Sequence, residues 1–488
     1  MRDDPDVLMA AARNALANGQ EDALVGRLEA AARVACNHAR LWQWTGLLYR
    51  ALDEHEQALD AFAEAANADP DDALIAHGRA RVALEAGLDA RALFDTALGL
   101  GPGGEVILGR AAARFAMGEG EAAAGELAAL LDRNPRWIQG HVQWAQLAAM
   151  TGQATNATMT IDRAIKLEPG NPALWQAAID ILTKANRHDQ AWRRADAAIA
   201  ATGDVASFAL SRAAALSDAG EADLAAAAFA SLGDPNHIGH AIGLARHAIR
   251  VNDGARLAML TEHWMDGDSA HLFWPYASIA WRQAGDPRAT WLERDERLVL
   301  ITDLTPQLPP LDRLADKLRD LHSRSGRFLD QSVRGGTQTD GPLLSRLDPE
   351  IRALRTAIVG AVDAYRAQLP PVDAVHPMLR YRRDAPVRFA GSWSVRLAGA
   401  GHHSNHVHPQ GWISSAFYVA LPDRLDGESG WLTLGEPQVE LGTGLAPMHR
   451  IEPKAGHLVL FPSMLWHGTV PFDAGERLSV AFDVAPPR

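Results

Sequence analysis

Cysteine is nearly absent. The 488-residue chain carries one, Cys36, and a lone thiol excludes an intramolecular disulfide, a Cys-x-x-Cys redox pair and a cysteine-built zinc site. An excess of cations is lacking too. Lys+Arg number 47 against 60 Asp+Glu, a formal net charge of −13, which argues against a general nucleic-acid binder whose affinity rests on neutralised phosphates. No apolar run reaches the roughly 18 residues of a membrane helix; the Ala-rich stretch Leu224–Leu232 falls far short. The opening Met-Arg-Asp-Asp-Pro-Asp has neither the basic nor the apolar region of a signal peptide. A soluble cytoplasmic protein is expected, and 47% hydrophobic content suffices for packed cores.

The first three-fifths of the chain is rich in Ala and Leu at helical spacing. The segment Leu41–Pro70 follows the tetratricopeptide pattern W-x2-L-G-x2-Y…A-x3-F…P through Trp42, Gly46, Tyr49, Ala58, Phe62 and Pro70, with Thr45 in place of the Leu. Closing prolines recur at Pro70, Pro102, Pro135 and Pro169, in steps of 32, 33 and 34 residues. Small residues let two antiparallel helices approach, large aromatic ones fill the space between, and one such pair cannot bury its apolar faces alone, so neighbours stack into a solenoid. Beyond Pro169 the pattern weakens but persists, and helical pairs are expected to about Thr302. The fold class is therefore α+β multidomain: a helical repeat array over residues 1–302, a linker with packing helices over 303–375, and a β domain over 376–488.

The boundary is marked by LTPQLPPLDRL, with three prolines. Amphipathic helices are expected over Leu311–Arg324 and Pro349–Gln368, with DQSVRGGTQTDG as a loop between them. After Pro370-Pro371 the runs SWSVRLAG, WISSAFYVALP, GWLTLG, GHLVLFP and RLSVAFDV read as short strands between turn residues, the signature of an antiparallel sandwich or barrel.

Four histidines, His402, His403, His406 and His408, fall within seven residues. In an extended chain residues two apart share a face, so His406 and His408 can present imidazoles to one centre. His467 ends an apolar strand 59 residues later; Arg477 opens the last strand, with Ser479 on its face by period two. Imidazoles suit iron, zinc, copper and nickel, and a metal held on one face keeps positions open, as in the 2-His-1-carboxylate site of non-haem iron(II) oxygenases. A guanidinium can grip the distal carboxylate of a metal-bound dicarboxylate. Trp393, Trp412, Trp431 and Trp466 read chiefly as core and rim packing.

At QSVRGGTQT (Gln331–Thr339), GSWSVRL (Gly391–Leu397), HSNHVHPQGWISSAFYVALP (His403–Pro422), LVLFPSMLWHGTVPF (Leu458–Phe472) and RLSVAFDV (Arg477–Val484) the chain resembles bacterial tetratricopeptide proteins that end in a 2-oxoglutarate-Fe(II) oxygenase domain. The resemblance implies a double-stranded β-helix (jelly roll) that uses Fe(II) and 2-oxoglutarate. His406 then takes the first-ligand position, His467 the distal histidine, Arg477 the grip on the 5-carboxylate of 2-oxoglutarate, and Ser479 a supporting hydroxyl. His408 departs from the pattern, since the wider superfamily has Asp or Glu there. It is ranked first as a third ligand; a two-histidine site with water, or Asp483 as a remote alternative carboxylate, stays open. His403 is either a hydrogen-bond partner behind the ligands or a strand-end residue. In QSVRGGTQT, Arg334 and Gln338 either approach substrate or belong to a docking loop, and Trp412 joins them as a candidate substrate contact.

The leading function is an oxygenase acting on a peptide or protein held in the repeat groove, with no nucleic acid and no membrane partner. The alternatives are an interaction scaffold whose barrel lost turnover with the ligand carboxylate, and a small-molecule oxygenase using the repeats for assembly. Deleting residues 1–300 is expected to spare activity on a small substrate and abolish it on a peptide.

Overall fold

A computed structural model describes residues 4–323, 326, 328–329 and 332–487. Among these, eighteen α-helices run from Pro5 to Glu293, paired as antiparallel hairpins. A large side chain wedged against glycine sets the helix spacing. A Cβ at Gly46 would lie 2.7 Å from Phe62 Cδ2, and one at Gly78 would lie 2.3 Å from Phe62 Cε1. The Phe62 ring thus fits between three helices because two of them offer glycine where it presses.

The repeat extends further than its prolines. Within each hairpin one residue has positive φ: Gly19, Asp53, Gly87, Gly118, Gly152, Asn186, Gly220, Asn252 and Gly285. They stand 31 to 34 residues apart and are all Gly, Asn or Asp, the types that enter the left-handed region at least cost. No helix among the described residues is long and apolar enough to cross a membrane.

Nine strands follow: β1 (Leu300–Asp303), β2 (Val333–Gln338), β3 (Phe389–His403), β4 (Ile413–Ala420), β5 (Leu432–Leu434), β6 (His449–Ile451), β7 (His457–Pro462), β8 (His467–Thr469) and β9 (Arg477–Val484). They form a six-stranded sheet, β1-β7-β4-β9-β3-β2, and a three-stranded sheet, β6-β5-β8. Every pairing is antiparallel. The fold is an all-α repeat solenoid followed by a jelly roll with flanking helices.

Helix Leu311–His322 and helix Pro349–Gln368 cover the outer face of the large sheet, where Leu318, Ile358 and Val362 meet Leu478, Val480, Phe482 and Val484. Pro349–Gln368 has the expected bounds; Arg324, the expected end of the first helix, lies outside the described residues, as do Asp330 and Gln331.

Two expectations need correction. Helical pairs do not reach Thr302: helix ends at Glu293, and Leu300–Asp303 pairs with β7 as an edge strand of half-buried and exposed residues in alternation. Nor is the described part of DQSVRGGTQTDG a plain loop. It forms β2 against β3 with a bulge between Arg334 and Gly336, because Gly335 takes φ 72° and Gly336 lets Arg396 O come within 2.4 Å of where a Cβ would be.

The turn edge of the solenoid grips the C-terminal part. Arg388 Nη2 donates to Gly19 O at 3.3 Å and pairs with Glu21 at 2.6 Å. Phe389 N donates to Asp53 Oδ2 at 3.2 Å, Leu347 N to Ala86 O at 3.1 Å, and Arg250 Nε to Glu440 O at 3.2 Å. Phe328 and Leu329 pack against solenoid clusters.

Candidate metal centre

Strand β9 divides its residues by alternation. Leu478, Val480, Phe482 and Val484 enter the core under the helices; Arg477, Ser479, Ala481 and Asp483 face a cavity of about 400 Å³ between the sheets. His406 and His408 are not on a strand, as the face-sharing argument assumed, but just past the end of β3. A single backbone bridge replaces the ladder: His406 N donates to His467 O and His467 N to His406 O, both at 2.9 Å. The two ligand candidates are thereby tied through their own main chains.

The three imidazoles converge. Ring centroids lie 4.2 Å apart for His406 and His467, 4.9 Å for His406 and His408, and 5.1 Å for His408 and His467. One nitrogen of each lies within 4.8 Å of the other two. Hydrogen bonds fix the tautomers. His406 Nδ1–H donates to Ser404 O at 2.8 Å and His467 Nδ1–H to Leu465 O at 2.9 Å, leaving both Nε2 lone pairs for a metal. Burial pushes His406 down to about 3 and His467 well below its ordinary value, so both rings are neutral, as a metal ligand must be.

His408 differs in what stands behind it. Its Nδ1 lies 2.9 Å from Asp483 Oδ1 and 2.7 Å from Oδ2, and the same carboxylate accepts Ser414 Oγ–H at 2.5 Å. This is a carboxylate–histidine pair poised toward a metal. The negative charge missing from position 408 is one hydrogen bond away.

Arg477 is 2% exposed. Its guanidinium lies over the Tyr418 ring at 5.1 Å, its Nε has no hydrogen-bond partner, and it makes no salt bridge among the described residues. Burial lowers its pKa. A buried cation without a carboxylate suits an anionic ligand, and the three neutral imidazoles suit a first-row metal. Both halves of the implied Fe(II)–2-oxoglutarate pair thus fit the residues present.

Arg334 and Gln338 line the same cavity, as does His403, which shares a 3.0 Å hydrogen bond with Ser332 Oγ. His402 does not line it. Trp412 is a correction. It is 3% exposed in the core under the helices, its Nε1–H donates to Met378 O at 2.8 Å, and its ring meets Tyr381 edge-on. It precedes β4 on the core side, so it cannot meet substrate in the cavity. Trp393, read as packing, lines the cavity instead, and so does Asn186 from a repeat turn. Period two along β3 would have flagged Trp393, opposite Ala481; only the 34-residue period marks Asn186 as a turn.

Residues 391–483 match the family model described as "Putative 2OG-Fe(II) oxygenase". Over that stretch the chain is similar to this oxygenase family. All three histidines, Arg477 and Asp483 fall inside the matched oxygenase span, whereas Arg334, Gln338 and Asn186 fall outside it. No curated protein matches the chain. Among solved structures, a tetratricopeptide repeat protein from Parabacteroides merdae is 18% identical, with 48% of this chain and 94% of that one covered and a TM-score of 0.31. A Pseudomonas putida prolyl-4-hydroxylase is also 18% identical, with 42% and 98% covered and a TM-score of 0.28.

Proposed function

We propose that the protein is an Fe(II)- and 2-oxoglutarate-dependent oxygenase that hydroxylates a peptide or protein substrate. One observation carries the reading: three imidazoles within reach of one ion share a cavity with a fully buried guanidinium that makes no salt bridge among the described residues. When bound, iron and 2-oxoglutarate supply oxidative decarboxylation to succinate and carbon dioxide coupled to hydroxyl transfer. His406, His408 and His467 would hold the metal on one face. Arg477 would fork onto the distal carboxylate, with the Ser479 hydroxyl beside it, and the buried Tyr418 ring packs against its guanidinium at 5.1 Å. Arg334 and Gln338 would contact the substrate.

The scaffold alternative rests on the loss of a ligand carboxylate. Asp483, hydrogen-bonded to His408, supports the catalytic reading by supplying that charge from behind the ring. Asn186 on the cavity wall supports a substrate that also touches the solenoid. Anaerobic addition of Fe(II) and 2-oxoglutarate should give a weak visible charge-transfer band, absent in His467→Ala, and air should then yield succinate. A colourless mixture that forms no succinate refutes the proposal.

A further inference from the structure

Each stretch carrying the proposed ligands has, next to a histidine, an apolar residue seated in the solenoid. Trp466 precedes His467 and is 2% exposed. Its Nε1–H donates to Pro275 O at 3.0 Å, and its ring meets Tyr276 edge-on at 6.0 Å. It shares a cluster with Leu244, Ile249, Phe273 and Ile279, all solenoid residues. Leu465, whose carbonyl fixes the His467 tautomer, is fully buried against Trp274, Ala277 and Trp281. Val407, between His406 and His408, packs on the same cluster as Trp466. Gly435 closes the arrangement: its N–H donates to Trp466 O at 2.6 Å, and its carbonyl accepts from Arg282, which also donates to Ala446 O at 2.7 Å.

Within the jelly roll the ligand stretches have few ladder contacts, although Asp483 on β9 holds the His408 ring. His467 lies on a three-residue strand in a sheet whose other two strands are equally short. His406 has a single backbone bridge, to His467, and His408, on no strand, donates its backbone N–H to Ser463 O at 3.0 Å. With so short a strand, the position of the backbone that carries the ring depends also on the packing of its neighbours.

We propose that the solenoid helix Trp274–Ala284 is a working part of the metal centre, with Trp466 positioning His467 and Val407 positioning His406 and His408. The inference rests on the metal-centre reading above. Trp466 and Val407 are positioning residues, each acting through the backbone it shares with the neighbouring ligands.

The test is anaerobic Co(II) titration of the full chain, followed by visible absorption, alongside thermal unfolding of the metal-free protein. Trp466→Phe keeps an aromatic ring and loses the N–H; Val407→Ala trims the second anchor without touching the first. Each should weaken Co(II) binding about tenfold, the lower end for groups that orient metal ligands. Phe62→Leu, far off in the second hairpin, should lower the unfolding temperature and leave Co(II) affinity unchanged, which separates positioning from general destabilisation. Wild-type affinity in both Trp466→Phe and Val407→Ala would overturn this inference alone. A wild-type protein that binds no Co(II) would overturn the metal-centre reading with it.

Discussion

Replacing Asp483 by asparagine probes the charge behind the third imidazole. The carboxylate accepts hydrogen bonds from His408 Nδ1–H and the Ser414 hydroxyl together. An amide removes the charge and can present an N–H to Nδ1. The imidazole then carries its own proton on Nε2, the nitrogen left for a metal. Partners of this kind shift metal affinity by roughly 10- to 100-fold, or about 1.4–2.8 kcal/mol. Asp483 acts through His408, so the losses should not add: His408→Ala/Asp483→Asn should bind within about 0.5 kcal/mol of His408→Ala alone. Co(II) titration of the two single variants and the double variant measures all three terms. Wild-type affinity in Asp483→Asn would refute the charge argument. A double variant losing the full sum would mean that Asp483 ligates on its own account, and the in-series reading would be wrong.

Arg477→Lys replaces a fork with a point charge and should raise the 2-oxoglutarate KM about tenfold with a smaller change in kcat; an unchanged KM removes Arg477 from cosubstrate binding. Gly46→Ala drives a methyl group into the Phe62 ring and should cost about 1–3 kcal/mol in urea unfolding, and an unchanged midpoint would mean that the hairpin gives way freely. Burial holds His322 at about 4, in hydrogen bonds to Thr337 Oγ1 at 2.9 Å and Ser394 Oγ at 3.0 Å. The unfolded chain takes this proton near pH 6.5, so from there down to about 4 it binds more protons than the folded chain, and stability falls with pH. At about pH 5 the loss from this one ring is about 2 kcal/mol relative to about pH 7.5, and His322→Gln should remove that part of the acid dependence. An equal pH slope in the variant would refute the assignment.

Much of this was legible in the sequence because it obeys short periods. The hairpin of Leu41–Pro70 shows its helices through Trp42, Gly46 and Phe62, and β9 shows its two faces through alternation from Arg477 to Asp483. Helix Pro349–Gln368 is bounded by a proline at its start and the Pro370-Pro371 pair after its end. The closing prolines follow the array only as far as Pro169, since a helix can stop without one. The left-handed turn position is harder to replace, and it runs on to Gly285. β2 was hidden because a strand reading V-R-G-G-T-Q has no apolar alternation; its glycines serve a bulge and a close backbone approach. Trp412 misled through its nearness in sequence to the histidines: the chain turns after His408, and the side chain enters the opposite face of the sheet.

The architecture also changes what the solenoid can be asked to reveal. Deleting residues 1–300 would separate peptide from small-molecule chemistry only if the rest stood alone. It does not stand alone in this structure. Trp466, Leu465 and Leu441 are buried against helices of the solenoid, Arg388 has its carboxylate partner in Glu21, and one cavity wall carries Asn186. A chain cut there would expose large apolar side chains beside the proposed ligand His467, so lost activity would report a damaged metal centre whatever the substrate. The family match begins at residue 391, and the cavity is also lined by residues that come before it, Asn186, Arg334 and Gln338 among them. The solenoid is therefore better regarded as a support of the cavity, with Asn186 on its wall, than as a detachable handle, and the substrate question belongs to single positions such as that one.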